Sequence, residues 1–203
     1  MKKIRLDQVL VERALYPSRA QAQRAVMAGE VRINEQIARK PSLLVNPGVM
    51  IATSEAPRFV GRGGLKLEGA LDSFQIDVRD QLAVDIGAST GGFTDCLLQR
   101  GARKVYAIDV GHGQLAWKIR NDPRVTVFEK TNARTMSPSL IGETVNICVV
   151  DVSFISLTLI LPNAFQLITP CGIVLALIKP QFELERSDVG RGGIVSDVAL
   201  HAK

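Results

Sequence analysis

The sequence has few cysteines and no long apolar segment. Its 203 residues include only Cys96, Cys148 and Cys171, without a C-x-x-C pair, which argues against a disulfide framework and predicts no metal site. The longest apolar run, residues 172–178, is much shorter than the ~20 residues that a membrane-spanning helix needs. The basic start continues into acidic residues, unlike a signal peptide. We therefore expect a cytoplasmic protein that does not enter a membrane.

Excess positive charge is confined to the first part of the chain. Residues 1–60 contain ten lysines and arginines against five acids, whereas residues 61–203 contain 15 of each, so the first sixty residues carry the whole net charge of +5. A small basic module before a larger neutral one is typical of a nucleic-acid-binding segment attached to a second function. Considered alone, the charge is explained equally well by a solvated surface with a chance imbalance.

The first module has the pattern of a small α+β domain. Apolar residues at helical spacing predict a short helix from Leu6 that ends at Tyr16 and Pro17, and Ser18 caps a second predicted helix over residues 19–28. Short strands are predicted over residues 31–33, 36–37 and 49–52.

Residues 5–53 resemble the S-four-like RNA-binding domain. The resemblance lies in an ordered set of motifs, which are Arg5-Leu6-Asp7, Leu10-Val11, Ser18-Arg19-Ala20, residues 29–34, Lys40-Pro41-Ser42 and residues 45–51. It implies that the second helix and the following loop contact structured RNA through phosphates. The predicted RNA-binding residues are Arg5, Arg19, Gln23, Arg24, Arg39 and Lys40, together with Arg62 of the next segment. Any one of these arginines taken alone is better explained as a solvated surface charge.

The rest of the chain alternates strands and helices. Strands are predicted over residues 82–86, 104–108, 125–128, 145–150 and 173–178, and helices over 66–74, 90–99, 114–120 and 157–168. Near-continuous apolar strands between helices predict a doubly wound α/β domain with a parallel sheet. We therefore divide the chain into an RNA-binding domain at 1–57, a glycine-rich linker at 58–65 and a second domain at 66–203.

A glycine-rich turn follows the first predicted strand, at residues 85–94. In such sheets ligands bind at the carboxyl ends of the strands, and glycines let a ligand approach the backbone closely. Asp109 ends the second strand, 22 residues after Gly87, where a carboxylate can accept hydrogen bonds from both hydroxyls of an adenosine ribose. This pair fits NAD or S-adenosylmethionine, but the G-x-x-x-G-G spacing argues against a pyrophosphate-bearing cofactor. A tight turn with a capping aspartate is the structural alternative.

The turn resembles the cofactor loop of methyltransferases related to the FtsJ group. With residues 62–67, 132–134, 151–154 and 178–183, the whole chain resembles the TlyA family, which joins the RNA-binding domain to a ribosomal RNA 2′-O-methyltransferase and is often labelled hemolysin. The resemblance implies a Rossmann-like methyltransferase sheet, S-adenosylmethionine as cofactor, and ribosomal RNA or ribosomal subunits as partner. The implied cofactor-binding residues are Asp85, Gly87, Ala88, Ser89, Thr90, Gly91, Gly92, Asp109, Asn132, Ala133 and Asp151.

The resemblance also implies three catalytic residues. Methyl transfer to a ribose hydroxyl needs the oxygen aligned with the methyl group and one proton removed. The family uses a Lys-Asp-Lys-Glu set, in which Lys66 would orient the hydroxyl, Asp151 would fix the lysines and Lys179 would be the general base. Each residue also has a simpler explanation from the sequence alone. Lys66 could be a surface residue of a helix, Asp151 a helix cap, and Lys179 a charged residue at the end of a strand.

The end of the sequence departs from the family pattern. The family's glutamate lies on a later strand, whereas here only residues 196–203 follow the glycine-rich segment 190–195, and Glu183 and Glu185 lie too early to replace it. We therefore expect a fragment that lacks the last strands of the sheet. The alternative is a non-catalytic RNA-binding protein with a truncated or inactive methyltransferase domain. A cytolysin is suggested only by the family label, since no amphipathic or apolar segment supports it, and the oligomeric state does not follow from the sequence.

Overall fold

A computed structural model describes residues 3–53 and 58–202 of the chain. They form two compact units, which are divided between Arg58 and Phe59. Among the described residues, no helix has the length and apolar character that crossing a membrane requires.

The first unit packs two helices against short antiparallel strands. In chain order its elements are β1 (Ile4–Arg5), α1 (Leu6–Glu12), α2 (Arg19–Ala28), β2 (Val31–Ile33), β3 (Gln36–Ile37), β4 (Leu44–Val45) and β5 (Ile51–Thr53). β2 pairs with β3 and β5, and β1 pairs with β4. α2 begins after Ser18, whose hydroxyl accepts a hydrogen bond from Gln21 N, and it ends at Gly29 with φ 79°. The buried apolar faces of α1 and α2 form the core of this unit.

The second unit is a doubly wound α/β domain, as predicted. Its elements are α3 (Gly63–Ser73), β6 (Leu82–Ile86), α4 (Gly92–Gln99), β7 (Lys104–Ile108), α5 (Trp117–Arg120), β8 (Val125–Phe128), β9 (Val145–Val150), α6 (Leu161–Leu167), β10 (Ile168–Ala176) and α7 (Pro180–Glu183). The strands are parallel, in the order β10-β9-β6-β7-β8. Chain order reverses between β6 and β9, so the carboxyl ends of these two strands form the crevice where such sheets bind ligands.

Apolar residues cover both faces of the sheet. One cluster joins the sheet to α3 and α4 and includes Leu67, Leu97 and Val149, whereas the other joins it to α6 and includes Ile108 and Leu167. All five residues of β6 are buried. The central strand therefore fixes the position of the turn that follows it.

Several boundaries differ from the sequence predictions. α3 begins at Gly63, so residues 63–65 of the predicted linker are helical. The predicted helix over residues 114–120 is limited to α5, because Gly113 has φ 69° and Ala116 N donates to Thr90 O before the helix begins. The predicted helix over 157–168 is divided into a 3₁₀ turn at Leu157–Leu159 and α6, and β10 begins at Ile168, five residues early.

Candidate functional site

The turn after β6 brings its backbone against the end of β9. Gly87 has φ 88°, and a Cβ on this residue would lie 2.6 Å from the carbonyl oxygen of Asp151. Gly91 also has a left-handed backbone, with φ 92°, before α4 begins. Other residues rarely adopt these angles, and only glycine fits the gap at position 87. The glycine at position 87 therefore allows the ends of β6 and β9 to approach each other closely.

Two clefts meet at this turn. The larger one, of about 790 Å³, is lined by Arg62, Lys66 and Lys179 among others, and the smaller one, of about 510 Å³, by Asp109 and the turn at 131–133. Both volumes are in the usual range for ligand sites. The residues that line both clefts are Gly87, Ser89, Asp151 and Ser153. A ligand extended along the turn would have one end in each cleft.

The three predicted catalytic residues lie together at the junction of the clefts. Lys179 Nζ is 2.5 Å from Asp151 Oδ1, and Lys66 Nζ is 3.9 Å from Asp151 Oδ2. Lys179 also donates a hydrogen bond to Ser153 Oγ at 2.8 Å. The side chains of Asp151 and Lys179 are 19% and 17% exposed, whereas that of Lys66 is 53% exposed. The site thus places the side-chain nitrogen of Lys179, held by a carboxylate and a hydroxyl, at the wall of a cleft.

Asp109 and its loop form one wall of the smaller cleft. Its carboxylate accepts hydrogen bonds from Ser89 N at 2.7 Å and from Gly111 N at 2.6 Å. Gln114, which the sequence analysis did not single out, lines the same cleft, and Ser89 Oγ donates to its Oε1 at 3.4 Å. The carboxylate is therefore fixed in orientation at the predicted position for a ribose.

The turn at residues 132–134 is held from two sides. Asn132 Oδ1 accepts a hydrogen bond from Arg134 N at 3.0 Å. Asn163 Nδ2, from α6, donates to the carbonyl oxygens of Ala133 at 2.9 Å and Arg134 at 2.8 Å. The sequence analysis missed Asn163, because a single asparagine within a helical pattern carries no signal of its contacts. Both predicted residues of this turn, Asn132 and Ala133, line the smaller cleft.

Two predicted cofactor residues line neither cleft. These are Gly91 and Asp85, whereas Ala88, Thr90 and Gly92 line the larger cleft. Asp85 is fully buried, and its Oδ2 accepts a hydrogen bond from Thr94 Oγ1 at 2.6 Å. Burial raises the pKa of Asp85 to about 7, against the lowering effect of Thr94. Asp85 therefore lies behind the turn.

Because of Asp85, the second unit is expected to become less stable as pH rises from about 5 to 7. The unfolded chain loses this proton near pH 4 and the folded chain near pH 7, so the folded state binds one proton more in this interval. The free energy of unfolding should then fall by about 1 kcal/mol per pH unit relative to Asp85→Asn, whose amide oxygen still accepts from Thr94. Urea unfolding followed by Trp117 fluorescence measures both proteins. Parallel pH profiles would contradict the expectation.

The segment before α3 is anchored by Asp95, which the sequence analysis also missed. This buried carboxylate accepts hydrogen bonds from Val60 N at 2.8 Å and Gln99 Nε2 at 2.9 Å, and Lys118 Nζ lies 3.0 Å away. Phe59, the residue before Val60, is also buried. The anchored segment leads into α3, and the exposed residues Arg62 and Lys66 line the larger cleft.

Glu183 and a pair of aromatic residues, Phe154 and Phe182, follow β9 and β10, the strands that lead to the two clefts. Glu183 caps the 3₁₀ turn, accepting hydrogen bonds from Leu157 N at 2.9 Å and Ser156 Oγ at 2.6 Å. Phe154, which lines the smaller cleft, is 91% exposed, and its ring centroid lies 5.2 Å from that of Phe182. An aromatic ring so exposed contributes little to a core. It offers a flat face to a ligand at this edge.

The predicted RNA-binding residues of the first unit fall into two groups. Arg5, Arg19 and Gln23 all bind Asp7, a fully buried carboxylate. The hydrogen bonds from Arg5 hold the pKa of Asp7 well below its usual range despite burial, and Gln23 and Arg19 add to the effect. The other group is exposed, and it consists of Arg24, Arg39 and Lys40.

A parallel sheet with a glycine-rich first turn and an acid at the end of its second strand defines the class of α/β domains that bind nucleoside cofactors. The family described as FtsJ-like methyltransferase matches residues 59–203, and the S4 domain matches residues 4–51. The chain belongs to the FtsJ-like methyltransferase family and carries an S4 domain before it. The predicted fold and family resemblance are thereby confirmed.

Individual relatives span nearly the whole chain. It is 46% identical over 204 residues to the 16S/23S rRNA (cytidine-2′-O)-methyltransferase TlyA of Mycobacterium tuberculosis, covering 100% of this chain and 76% of the relative. It is 50% identical over 203 residues to YqxC of Bacillus subtilis, described as a candidate rRNA methyltransferase. This match covers 99% of this chain and 72% of the relative. A solved structure described as a candidate hemolysin from Streptococcus thermophilus has 45% identity and a TM-score of 0.71, covering 99% and 74%.

Proposed function

We propose that this chain transfers the methyl group of S-adenosylmethionine to a ribose 2′-hydroxyl of ribosomal RNA in the cytoplasm. The observation that carries the proposal is the convergence of Lys66, Asp151 and Lys179 where the two clefts meet. Residues 1–57 would bind the RNA, and residues 66–203 would carry out the transfer. Relatives named as rRNA (cytidine-2′-O)-methyltransferases support the substrate class.

The residues present fit this cofactor. Asp109 would accept the ribose hydroxyls, the turn at 132–133 would meet the adenine, and the backbone of residues 87–90 would follow the amino-acid part. The absence of a Cβ at Gly87 leaves this path open beside Asp151. When bound, the cofactor supplies a methyl group that already carries its leaving group.

The larger cleft would hold the ribose hydroxyl against the lysines. Lys66 would orient the hydroxyl, Asp151 would hold the two lysines, and Lys179 would be the general base. As the oxygen–methyl bond forms and the sulfur–methyl bond breaks, Nζ of Lys179 would take the hydroxyl proton. Asp151, which is 2.5 Å from that nitrogen, would then stabilise the ammonium that results. The exposed ring of Phe154 is suited to stack on a nucleobase beside this site.

Transfer of labelled methyl groups to purified ribosomal subunits tests the proposal. Both subunits are offered with labelled S-adenosylmethionine, and the RNA is digested to nucleosides. We expect label in a 2′-O-methylated nucleoside. RNA and cofactor binding without transfer would favour the non-catalytic alternative, and label on a base would contradict ribose as the acceptor.

Asp109→Ala should weaken S-adenosylmethionine binding by at least about tenfold, because the change removes charge-assisted hydrogen bonds to the ribose. It also removes the carboxylate that accepts hydrogen bonds from the backbone nitrogens of Ser89 and Gly111. Calorimetry measures the affinity. Asp77→Ala is the control, since Asp77 pairs with Arg79 within its own turn, and it should bind normally. Unchanged affinity in Asp109→Ala would exclude this ribose site.

Asn163→Ala should weaken cofactor binding by about fivefold, because the turn at 133–134 loses the two hydrogen bonds that hold it. Asn146→Ala is a matched control: Asn146 Oδ1 accepts a hydrogen bond from Leu82 N at the amino end of the sheet, away from the clefts. Both variants should have a lower melting temperature, but only Asn163→Ala should bind S-adenosylhomocysteine more weakly. Equal affinity in the two variants would contradict the role.

A further inference from the structure

One buried carboxylate holds three side chains from two elements of the first unit. Asp7 Oδ1 accepts a hydrogen bond from Nε of Arg5 at 3.0 Å, and Oδ2 accepts from Nη2 of Arg5 at 2.9 Å. Oδ2 also accepts from Nη2 of Arg19 at 3.1 Å and from Nε2 of Gln23 at 2.7 Å. Arg19 and Gln23 are one turn apart on α2 and so share a face of the helix. Asp7 thus fixes these side chains relative to one another.

Each of the three side chains also has hydrogen-bonding groups that do not contact Asp7. A guanidinium carries five N–H donors, and in the described parts of the chain Nη1 of Arg5 and both Nε and Nη1 of Arg19 have no partner. The arginine side chains are 39% and 51% exposed. Because an ionised carboxylate only accepts, the nitrogen of the Gln23 amide must face Asp7, which leaves Oε1 as an acceptor for a ligand.

We propose that Asp7 is a positioning residue, which presents Arg5, Arg19 and Gln23 as one preformed surface for the RNA backbone. This inference rests on the proposed function in taking RNA as the substrate. The arginine donors suit phosphate oxygens, and Oε1 of Gln23 can accept a hydrogen bond from a ribose 2′-hydroxyl. Side chains already fixed by Asp7 lose less conformational freedom when RNA binds.

Simple electrostatics makes the opposite prediction for the loss of Asp7. If net charge alone governed RNA affinity, removal of a negative charge beside two arginines would strengthen binding. If Asp7 orients the arginines, the same change weakens binding although the protein becomes more positive. The sign of the effect therefore separates positioning from charge.

The test compares Asp7→Asn with Glu12→Gln in the full chain. Glu12 is an exposed acid of α1, so the two variants gain the same charge in the same unit. Affinity for purified ribosomal RNA and for a short RNA duplex is measured at several salt concentrations. We expect Asp7→Asn to bind both probes about tenfold more weakly, with a log–log salt slope about one unit flatter. Glu12→Gln should bind equally or up to about twofold more tightly. Asp7→Asn binding as tightly as the parent chain would overturn the proposal.

Arg5→Lys decides the question if circular dichroism shows that Asp7→Asn fails to fold. It keeps the net charge but loses the two-point attachment to Asp7, so RNA affinity should fall about threefold. Its control is Arg32→Lys, since Arg32 is exposed and donates to the carbonyl of Glu35 rather than to Asp7. Equal affinity in Arg5→Lys and the parent chain would overturn the proposal.

The two probes separate this inference from the proposed function. A parent chain that binds the duplex but not ribosomal RNA contradicts the proposed function, and the duplex comparison still tests the role of Asp7. A parent chain that binds neither probe overturns both.

Discussion

Lys179→Ala is expected to reduce methyl transfer about a hundredfold or more while cofactor and RNA affinities stay near those of the parent chain. The amine at this position is the only proposed acceptor for the ribose proton, and a positioned general base contributes about this much to a rate. Lys179→Arg should be nearly as slow, because a guanidinium keeps the charge next to Asp151 but does not release its proton. Single-turnover transfer to ribosomal subunits measures the step directly.

Lys104→Ala is the matched control for this prediction. Lys104 is also ion-paired, with Nζ 3.4 Å from Glu143 Oε1, but it lies at the amino end of β7, away from the clefts. We expect its transfer rate to equal that of the parent chain. Parent-like turnover by Lys179→Ala would exclude Lys179 as the base and leave Asp151 and Lys66 as the groups to examine.

Gly87→Ala is expected to lower transfer about a hundredfold and to weaken cofactor binding at least about tenfold. The new Cβ would lie 2.6 Å from the carbonyl oxygen of Asp151, so the turn and the end of β9 must separate. A displacement of this kind moves the carboxylate that holds Lys179, and small misplacements of reacting groups cost about two orders of magnitude in rate.

Gly142→Ala separates this close approach from backbone strain. Gly142 has φ 76°, similar to the 88° of Gly87, but a Cβ there meets no heavy atom within 4 Å. Both variants should lose about 1–2 kcal/mol of stability to the unfavourable backbone angle. Only Gly87→Ala should lose cofactor affinity, measured by calorimetry with S-adenosylhomocysteine. Equal losses in both would mean that the contact with β9 does not shape the site.

The central strands could be predicted from the sequence because their apolar runs are continuous. β6, β7, β8 and β9 have the predicted bounds, and their order places Gly87 and Asp151 at adjacent strand ends. β1 and β4 were missed, since a pair of two-residue strands has no periodicity to detect.

The side-chain partners of the site could not be predicted from the sequence. Residues 66, 151 and 179 were assigned by family resemblance, and only the fold brings their charges within ion-pair distance. The side-chain contacts of Asp7, Asp95 and Asn163 were missed for the same reason. Each binds groups from a segment remote in sequence, and neither composition nor spacing encodes which carboxylate or amide will be buried.

The strand order determines when, during synthesis of the chain, Lys66, Asp151 and Lys179 can come together. Among the described strands of this sheet, β6 is synthesised first and lies at the centre, whereas β10, which leads to Lys179, follows the other four and pairs with β9. During translation the chain can pair β6, β7, β8 and β9 while residue 179 is still inside the ribosome. A nascent chain would then have the glycine turn, Asp109 and Lys66 but would still lack Lys179 at Asp151. The proposed cofactor cleft would therefore form before the proposed catalytic set, and the proposed methyl transfer would become possible only after β10 has paired with β9.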